Sequence, residues 1–237
     1  RAKEIAVSIS NNEALLRALS VPSKAAILSS LMGGVALPAS ELSFRAGVRT
    51  STTSFHLAQL LQERLVRVRK IGRHRYYELN GFPVAELLER FDVNTPELAT
   101  KNIRGCDHSE LRKCRWCYDH LAGALGVSIL SGLRRNKLIR TCSDNFELLE
   151  LTRKGSAFFS SLGIEAGSIR QTRRKFAYEC IDWSERRPHL AGALGATLAE
   201  KMVSQRWVKA KTPDRIAVVT PRGKRWLAEN LDVVIDG

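Results

Sequence analysis

The sequence predicts an α+β fold, mainly α with small β-hairpins, and three observations point to it. Apolar residues recur at helical spacing from Glu13 to Met32. The stretch "LVRVRKIGRHRYYEL" alternates as the two arms of a hairpin do. The heptad "HLAGALG" occurs at 120–126 and again at 189–195, so the second half of the chain repeats a unit.

The first helical stretch carries Leu15, Leu16 and Leu19, then Ile27, Leu28 and Leu31 after Pro22. Proline suits the first turn of a new helix, with Ser20 nearby to cap it, and Gly33-Gly34 ends it. "LPASELSFRAGVRTSTTSFHLAQLLQERLV" then reads as short helix, tight turn at Ala46-Gly47-Val48, and longer helix. Thr53, Leu57, Leu60 and Leu61 form the inward stripe of the longer helix. The hairpin follows, with Val66, Val68, Tyr77 and Leu79 alternating about a turn near Ile71-Gly72-Arg73. A short helix over 83–91 closes the segment. Three helices, a helix-turn-helix among them, and a basic hairpin make a winged helix.

Residues 92–104 read as a linker. The two copies behind it align His120 with His189, Leu133 with Met202, Leu138 with Trp207 and Ile139 with Val208. "T-x-x-G" follows at Thr152 and at Thr220. Each copy is expected to run helix, helix, strand, helix in winged-helix-like order. The expected layout is therefore a DNA-binding and dimerisation domain over 1–91, a linker over 92–104, and winged-helix-like repeats over 105–169 and 170–237. Leu121, Leu125 and Ile129, and Leu190, Leu194 and Leu198, would form one buried helical stripe per copy. Gly123 and Gly192 would let two helices approach.

"ALSVPSKAAILSSL", "SELSFRAGVRTSTTSFHLAQLLQERLV" and "VRKIGRHRYYEL" resemble the ArsR/SmtB family of bacterial winged helix-turn-helix transcriptional regulators in order, spacing and residue type. The resemblance covers residues 10–92. It implies a sequence-specific repressor released by a signal, and a homodimer joined by the first and last helices of the domain. Two-fold symmetry would then read a palindromic site on double-stranded DNA. The second half resembles the appended C-terminal module of longer family members, a place for a small-molecule or redox effector.

In such folds the N-terminal residues of the second helix of the motif meet the major groove. Thr50, Ser51, Ser54 and Phe55 lie off the buried stripe, and His56 could reach a phosphate. Arg49 stands where many family members have a Ser or Thr, so Thr50 is expected to cap the helix and Arg49 to face phosphate. The hairpin adds Arg67, Arg69, Lys70, Arg73, His74 and Arg75, with Arg69, Lys70, Arg73 and Arg75 expected on DNA.

The cysteines depart from the sensor patterns of the family, because residues 1–91 contain none. Cys106, Cys114 and Cys117 are the metal or thiol-redox candidates. Ordinary packed cysteines are the stronger expectation, and no cofactor is assigned. His120 and His189 read as structural. The polar-aromatic stretch "CIDWSERRP" suits either an Arg–carboxylate network or a ligand pocket between the copies.

The formal net charge is +14 over 237 residues, which selects polyanionic partners. Residues 1–91 and 170–225 carry the excess, and 92–169 are nearly balanced. No phosphate-cradling glycine loop or nucleophile elbow occurs, so no enzyme is expected. No apolar run is long enough to cross a membrane, and "RAKEIAVSIS" lacks the apolar core of a secretion signal. A cytoplasmic protein is expected. Two alternatives stay open: a thiol-redox or metal-responsive sensor, and a nonspecific architectural nucleic-acid-binding protein.

Overall fold

The structure is a computed structural model. It describes residues 12–71, 74–81, 83–88, 108–142, 148–172, 174–211 and 215–235. The expected linker at 92–104, Arg73 and Cys106 lie outside the described residues. The chain divides into two compact units, Arg1–His108 and Ser109–Gly237.

In the first unit, α1 covers 12–19 and α2 covers Pro22–Ser30. Pro22 takes the first turn, where its missing N–H costs no helical bond. Val21, not Ser20, is the capping residue, and the Ser20 hydroxyl donates to Arg17 O. Strand β1 (Leu37–Pro38) leads into α3 (Ala39–Ala46) and α4 (Thr50–Gln62). Gly47 at φ 65° ends α3, and the Ser43 hydroxyl donates to Val48 O to hold the turn. Strands β2 (Val66–Ile71) and β3 (His74–Leu79) form the hairpin, and α5 covers 83–88. The antiparallel sheet runs β1-β3-β2.

Leu15, Ile27, Leu28, Leu42, Leu57, Leu60, Leu65, Leu79 and Leu88 are buried and form the core of this unit. Thr53 is buried with them, as its place on the α4 stripe requires. Val68 departs from the alternation and stays 40% exposed. Its partner across the hairpin, Tyr77, is itself only half-buried.

In the second unit the first copy contains α6 (His108–Lys113), β4 (Arg115–Cys117), β5 (His120–Ala122), α7 (Gly123–Arg135), β6 (Ile139–Thr141), β7 (Leu149–Leu151) and α8 (Arg153–Ser161). Helix α9 (Ala166–Arg170) connects to the second copy. That copy contains β8 (Tyr178–Ile181), β9 (Pro188–Ala191), α10 (Gly192–Ser204), β10 (Val208–Ala210), β11 (Ala217–Val219) and α11 (Pro221–Leu231).

The repeated heptad is a strand–helix junction rather than the continuous helix its spacing suggests. Its first three residues end a strand, and the helix starts at the first glycine. The six leucine and isoleucine positions still share one core, but Leu121 and Leu190 reach it from strands. Gly123 and Gly192 sit at φ 75° and 84°, a left-handed conformation open to glycine. Their nearest neighbours are not the opposite heptad helix: a Cβ would lie 2.6 Å from Arg112 O, at the end of α6, in one copy and 2.8 Å from Lys175 O in the other.

Gly126 and Gly195 make the approach between copies. A Cβ on Gly126 would lie 3.3 Å from His189 Cβ, and one on Gly195 would lie 3.5 Å from His120 Cβ. Each copy's first helical turn therefore presses on the other copy's histidine.

One connection occurs three times in the chain. Arg64, Lys137 and Arg206 each take φ near 55° after a helix. The next residue, Leu65, Leu138 or Trp207, donates back to Leu60, Leu133 or Met202. Its carbonyl then accepts from Asn80 N, Thr152 N or Thr220 N beyond the hairpin. The side chains of those three residues also donate to the carbonyls of Arg64, Lys137 and Arg206. Thr152 and Thr220 go on to cap α8 and α11 by accepting from Gly155 N and Gly223 N. Both copies thus carry the helix–hairpin–helix order of a winged helix.

The copies exchange strands. Ala217 N donates to Cys114 O and Trp116 N to Arg215 O, so the β10–β11 hairpin extends β4 of the first copy. Leu149 N donates to Ala177 O, so β6–β7 extends β8 of the second. Each copy's hairpin is thus joined by a bridge to a hairpin of the other copy.

The "CIDWSERRP" stretch supplies the ionic lock. Arg115 and Asp182, both fully buried, pair at 2.9 Å across the copies. Asp182 also accepts from Gly123 N, Ser184 N, Ser184 Oγ and Glu185 N. Trp183 lies 4.6 Å from the Arg115 guanidinium. Burial alone would raise the Asp182 pKa, but Arg115, then His189, Ser184 and Gly123 N outweigh it and hold it down to about 2. Of the two readings of this stretch, the lock realises the Arg–carboxylate network. An apolar cavity of about 10 Å³ lies between the heptads, lined by residues including Leu121, Gly126, Leu190 and Gly195. That is about one water probe, too small for an organic effector.

Alanine at Gly126 or Gly195 should destabilise the second unit. A Cβ there also meets the Leu121 or Leu190 carbonyl at 2.3 and 2.5 Å. Overpacking costs about 1–3 kcal/mol, and the helix-propensity gain of up to about 1 kcal/mol offsets only part of it. Thermal unfolding of each variant checks this, and an unchanged or higher Tm would contradict the close approach.

Candidate nucleic-acid interface

Helix α4 presents one continuous exposed face: Arg49, Thr50, Ser51, Ser54 and Phe55. Phe55 is 62% exposed although α4 buries Leu57 and Leu60 completely. An aromatic ring costs free energy in water, so its place beside two hydroxyls fits contact with base edges and thymine methyls. Phe44 on α3, 60% exposed, is a second such ring that the sequence reading did not single out.

Thr50 does not cap α4. Arg49 is the capping residue, with φ −65° and ψ 151°, and its side chain makes no capping bond. The Thr50 hydroxyl is one position too late for that role, and Thr53 Oγ1 turns back to Arg49 O instead. The uncapped end leaves the amides of the first turn for an outside acceptor, and the positive end of the helix dipole favours an anion.

His56 has a different role from the expected phosphate contact. Its Nε2 lies 2.8 Å from Ser23 Oγ, tying α4 to α2. Burial first, then the Lys24 ammonium, hold its pKa below the usual histidine value, against a weaker opposing bond to Gln59. The Nε2 end of the ring is thus engaged within the domain.

The hairpin sorts its cations onto two faces. Glu78, itself buried, accepts from Arg67 Nε at 3.0 Å and from Arg69 Nη2 at 3.1 Å. This clamp fixes both guanidinium groups along β2, and it was not anticipated from sequence. On the other face Lys70 and Arg75 stand directly opposite each other, both exposed. Like charges at paired positions repel, and a phosphate placed between them removes the penalty. Arg73 lies outside the described residues.

Of the three cysteine candidates, Cys106 also lies outside the described residues. Cys114 sits in the apolar core, where burial pushes its thiol up to about 12 against the weaker pull of Arg115. That thiol stays protonated and inert. Cys117 lies in a different setting, beside His120, Cys180 and His189. Burial would lower the His120 pKa, but the Cys117 sulfur and the Asp119 carboxylate outweigh it and hold it up to about 10. His189 is driven well below the usual value by burial, then by His120 and Arg115, against the pull of Asp182.

Residues 22–68 match the family model for bacterial regulatory protein, arsR family. The chain is also 39% identical over 218 residues to the HTH-type transcriptional regulator YdfF of Bacillus subtilis (strain 168), spanning 92% of this chain and 95% of that one. This chain belongs to the arsR family. It is a DNA-binding transcriptional regulator, and the family is one of regulators rather than enzymes. The similarity to YdfF is too long for the winged helix alone, so it takes in the C-terminal half. Among solved structures, reduced HlyU from Vibrio cholerae N16961 is 29% identical, covering 38% of this chain and 94% of its own, with a TM-score of 0.33. A second HlyU structure is 29% identical over 39% of this chain and 95% of its own, with a TM-score of 0.33. Among the described residues no helix is long and apolar enough to cross a membrane.

Arg49→Ser should separate stability from binding in this arsR-family domain. A serine cap stabilises a helix by about 0.5–2 kcal/mol, so Tm should rise. DNA affinity should fall and the log–log salt slope should shrink by about 0.9, the value of one phosphate contact. Equal affinity in the variant would take Arg49 off the DNA.

Proposed function

We propose that the chain is a cytoplasmic, homodimeric repressor that reads a palindromic operator through Thr50, Ser51, Ser54 and Phe55, with Arg49 and the hairpin holding the phosphates. The carrying observation is the uncapped N-terminus of α4, with hydroxyls and a ring exposed where base edges would lie. A clamped basic hairpin in the same domain supplies the backbone contacts. Phosphate contacts set register, and base-edge contacts set sequence.

The homodimer reading is supported by Leu16 on α1, which is 52% exposed on a helix whose other apolar face is buried. An apolar side chain left open on the first described helix suits a self-complementary interface. A basic dimer seated on a promoter blocks transcription by occupancy, which is the repressor reading. The second unit would hold the signal-responsive part.

Selection of bound sequences from a random duplex pool tests the reading. An inverted-repeat consensus bound at least about 10³-fold more tightly than random DNA is expected of a specific regulator. Affinity that is the same for all duplexes would instead give an architectural protein. Reporter expression from a promoter carrying the consensus should rise when the gene is deleted, and a fall would make the protein an activator.

Replacing Lys70 and Arg75 together with alanine should lower affinity for operator and random duplex alike. The salt slope should fall by about 1.8, two phosphate contacts' worth. Thermal stability should hold or rise slightly, because a repelling cross-strand pair is removed. A Tm loss with unchanged slope would make the pair structural rather than DNA-facing.

A further inference from the structure

The two hairpins that carry the heptads each place a cysteine opposite a histidine. Cys117 pairs with His120 across β4–β5, and Cys180 pairs with His189 across β8–β9. Two residues separate Cys117 from His120 and eight separate Cys180 from His189, yet in both copies the two stand directly opposite each other across the hairpin. The copies bring the pairs together, so that one ligand atom from each of the four residues lies within 4.8 Å of the other three. The two imidazoles stack with centroids 5.1 Å apart.

The histidines are the unusual feature. Both are buried, and His120 Nε2 and both His189 ring nitrogens make no hydrogen bond. A buried polar atom without a partner is costly. Here the cost falls at equivalent positions in both copies, beside two thiol groups. Carboxylates back the rings on the other side: Asp119 Oδ1 lies 3.1 Å from His120 Nδ1, and Asp182 Oδ2 lies 3.6 Å from His189 Nδ1. That leaves the two Nε2 atoms, both without a hydrogen-bond partner, available as ligands. A carboxylate behind a ligating imidazole is the arrangement that orients histidines at metal centres.

We propose that Cys117, His120, Cys180 and His189 bind one thiophilic divalent cation of the zinc class, tetrahedrally, and that this ion clips the two copies of the repeat together. Two thiolates and two neutral imidazoles are a borderline-soft set matched to such an ion. Two thiolate charges balance the dication, so the buried site is neutral. Four protein ligands leave no open position, which makes the site structural rather than catalytic. Each copy supplies one cysteine and one histidine, so neither copy alone holds the ion. The candidates weighed from sequence change accordingly: Cys114 is outside the site, and Cys180 and His189 enter it.

The test uses the full chain without an affinity tag, expressed in zinc-supplemented medium and purified without chelator. Elemental analysis should find about one zinc per chain, with the same value in Cys142→Ser, whose thiol lies outside the cluster. Cobalt(II) added to chelator-stripped protein should give an intense tetrahedral spectrum with a thiolate charge-transfer band. Cys117→Ser and Cys180→Ser should each weaken metal binding by more than about 100-fold, beyond the 10–100-fold range of outer-shell partners, where Asp119→Asn should fall. A strong chelator should lower the Tm of the wild-type chain, and zinc should restore it. This last arm needs no variant to fold. Substoichiometric zinc, an octahedral cobalt spectrum, a Tm indifferent to chelator, or a Cys117–Cys180 disulfide in the purified chain would each overturn the proposal.

Discussion

The buried pair of Arg115 and Asp182 is the constraint on which the second half of the molecule depends. Arg115 belongs to the first copy and Asp182 to the second, and both are fully shielded from water. Two charges in that position survive only with their hydrogen-bonding capacity well used, and leaving one without the other costs about 3–5 kcal/mol. Asp182 meets the demand with four donors besides the guanidinium, one of them Gly123 N at the start of the heptad helix. The lock therefore reaches the strand–helix junction and not just the ion pair. Once Arg115 is fixed, so is β4, and with it the edge that the β10–β11 hairpin of the other copy extends. Strand exchange, heptad packing and the cysteine–histidine cluster all follow from holding the two copies in this one relation.

The first unit works on the opposite principle. Where the second unit buries its central ion pair, the first leaves several groups unsatisfied at its surface. The α4 amides have no capping side chain, Lys70 faces Arg75, and Phe55 faces solvent. Each is a small local cost, and all are relieved by a ligand with phosphates and apolar base edges. Glu78 is the counterweight, since it keeps Arg67 and Arg69 ordered without neutralising the whole hairpin. A regulator that must let go of DNA benefits from cations that are partly engaged beforehand, because the exchange of partners is nearer to balance.

The N-terminal winged helix was largely legible in the sequence, because its periodicities are long and its punctuation explicit. Pro22 and Gly47 act where their chemistry says they should. The cap of α4 was misread because the choice between Arg49 and Thr50 turns on one residue of backbone extension, which composition does not encode. The bond of His56 to Ser23 was not legible because the two are 33 positions apart. In the second half, helical spacing of leucines concealed a strand. Positions i, i+4 and i+8 converge on one core either way when the strand and helix both point inward. The cluster was hidden by arithmetic. A fixed offset of 69 matches His120 with His189 but sets Cys117 against Arg186. Only the pairing of strands shows that the cysteine-to-histidine spacing is six residues longer in the second hairpin and that Cys180 is the true counterpart.

The identity of the two heptads has a physical reason in this geometry. Each heptad must do two things: turn a strand into a helix at a left-handed glycine, and lie flat against the histidine of the other copy. Gly123 and Gly192 serve the first demand, and Gly126 and Gly195 serve the second. Because the contact is reciprocal, a change in one heptad alters both the junction of its own copy and the seat of the opposite histidine. The hairpin loops carry no such double demand, and there the copies have drifted to two and six residues. Sequence identity is thus concentrated where the pseudo-twofold contact makes each residue answer to both copies. The residues so protected are the ones that fix His120 against His189.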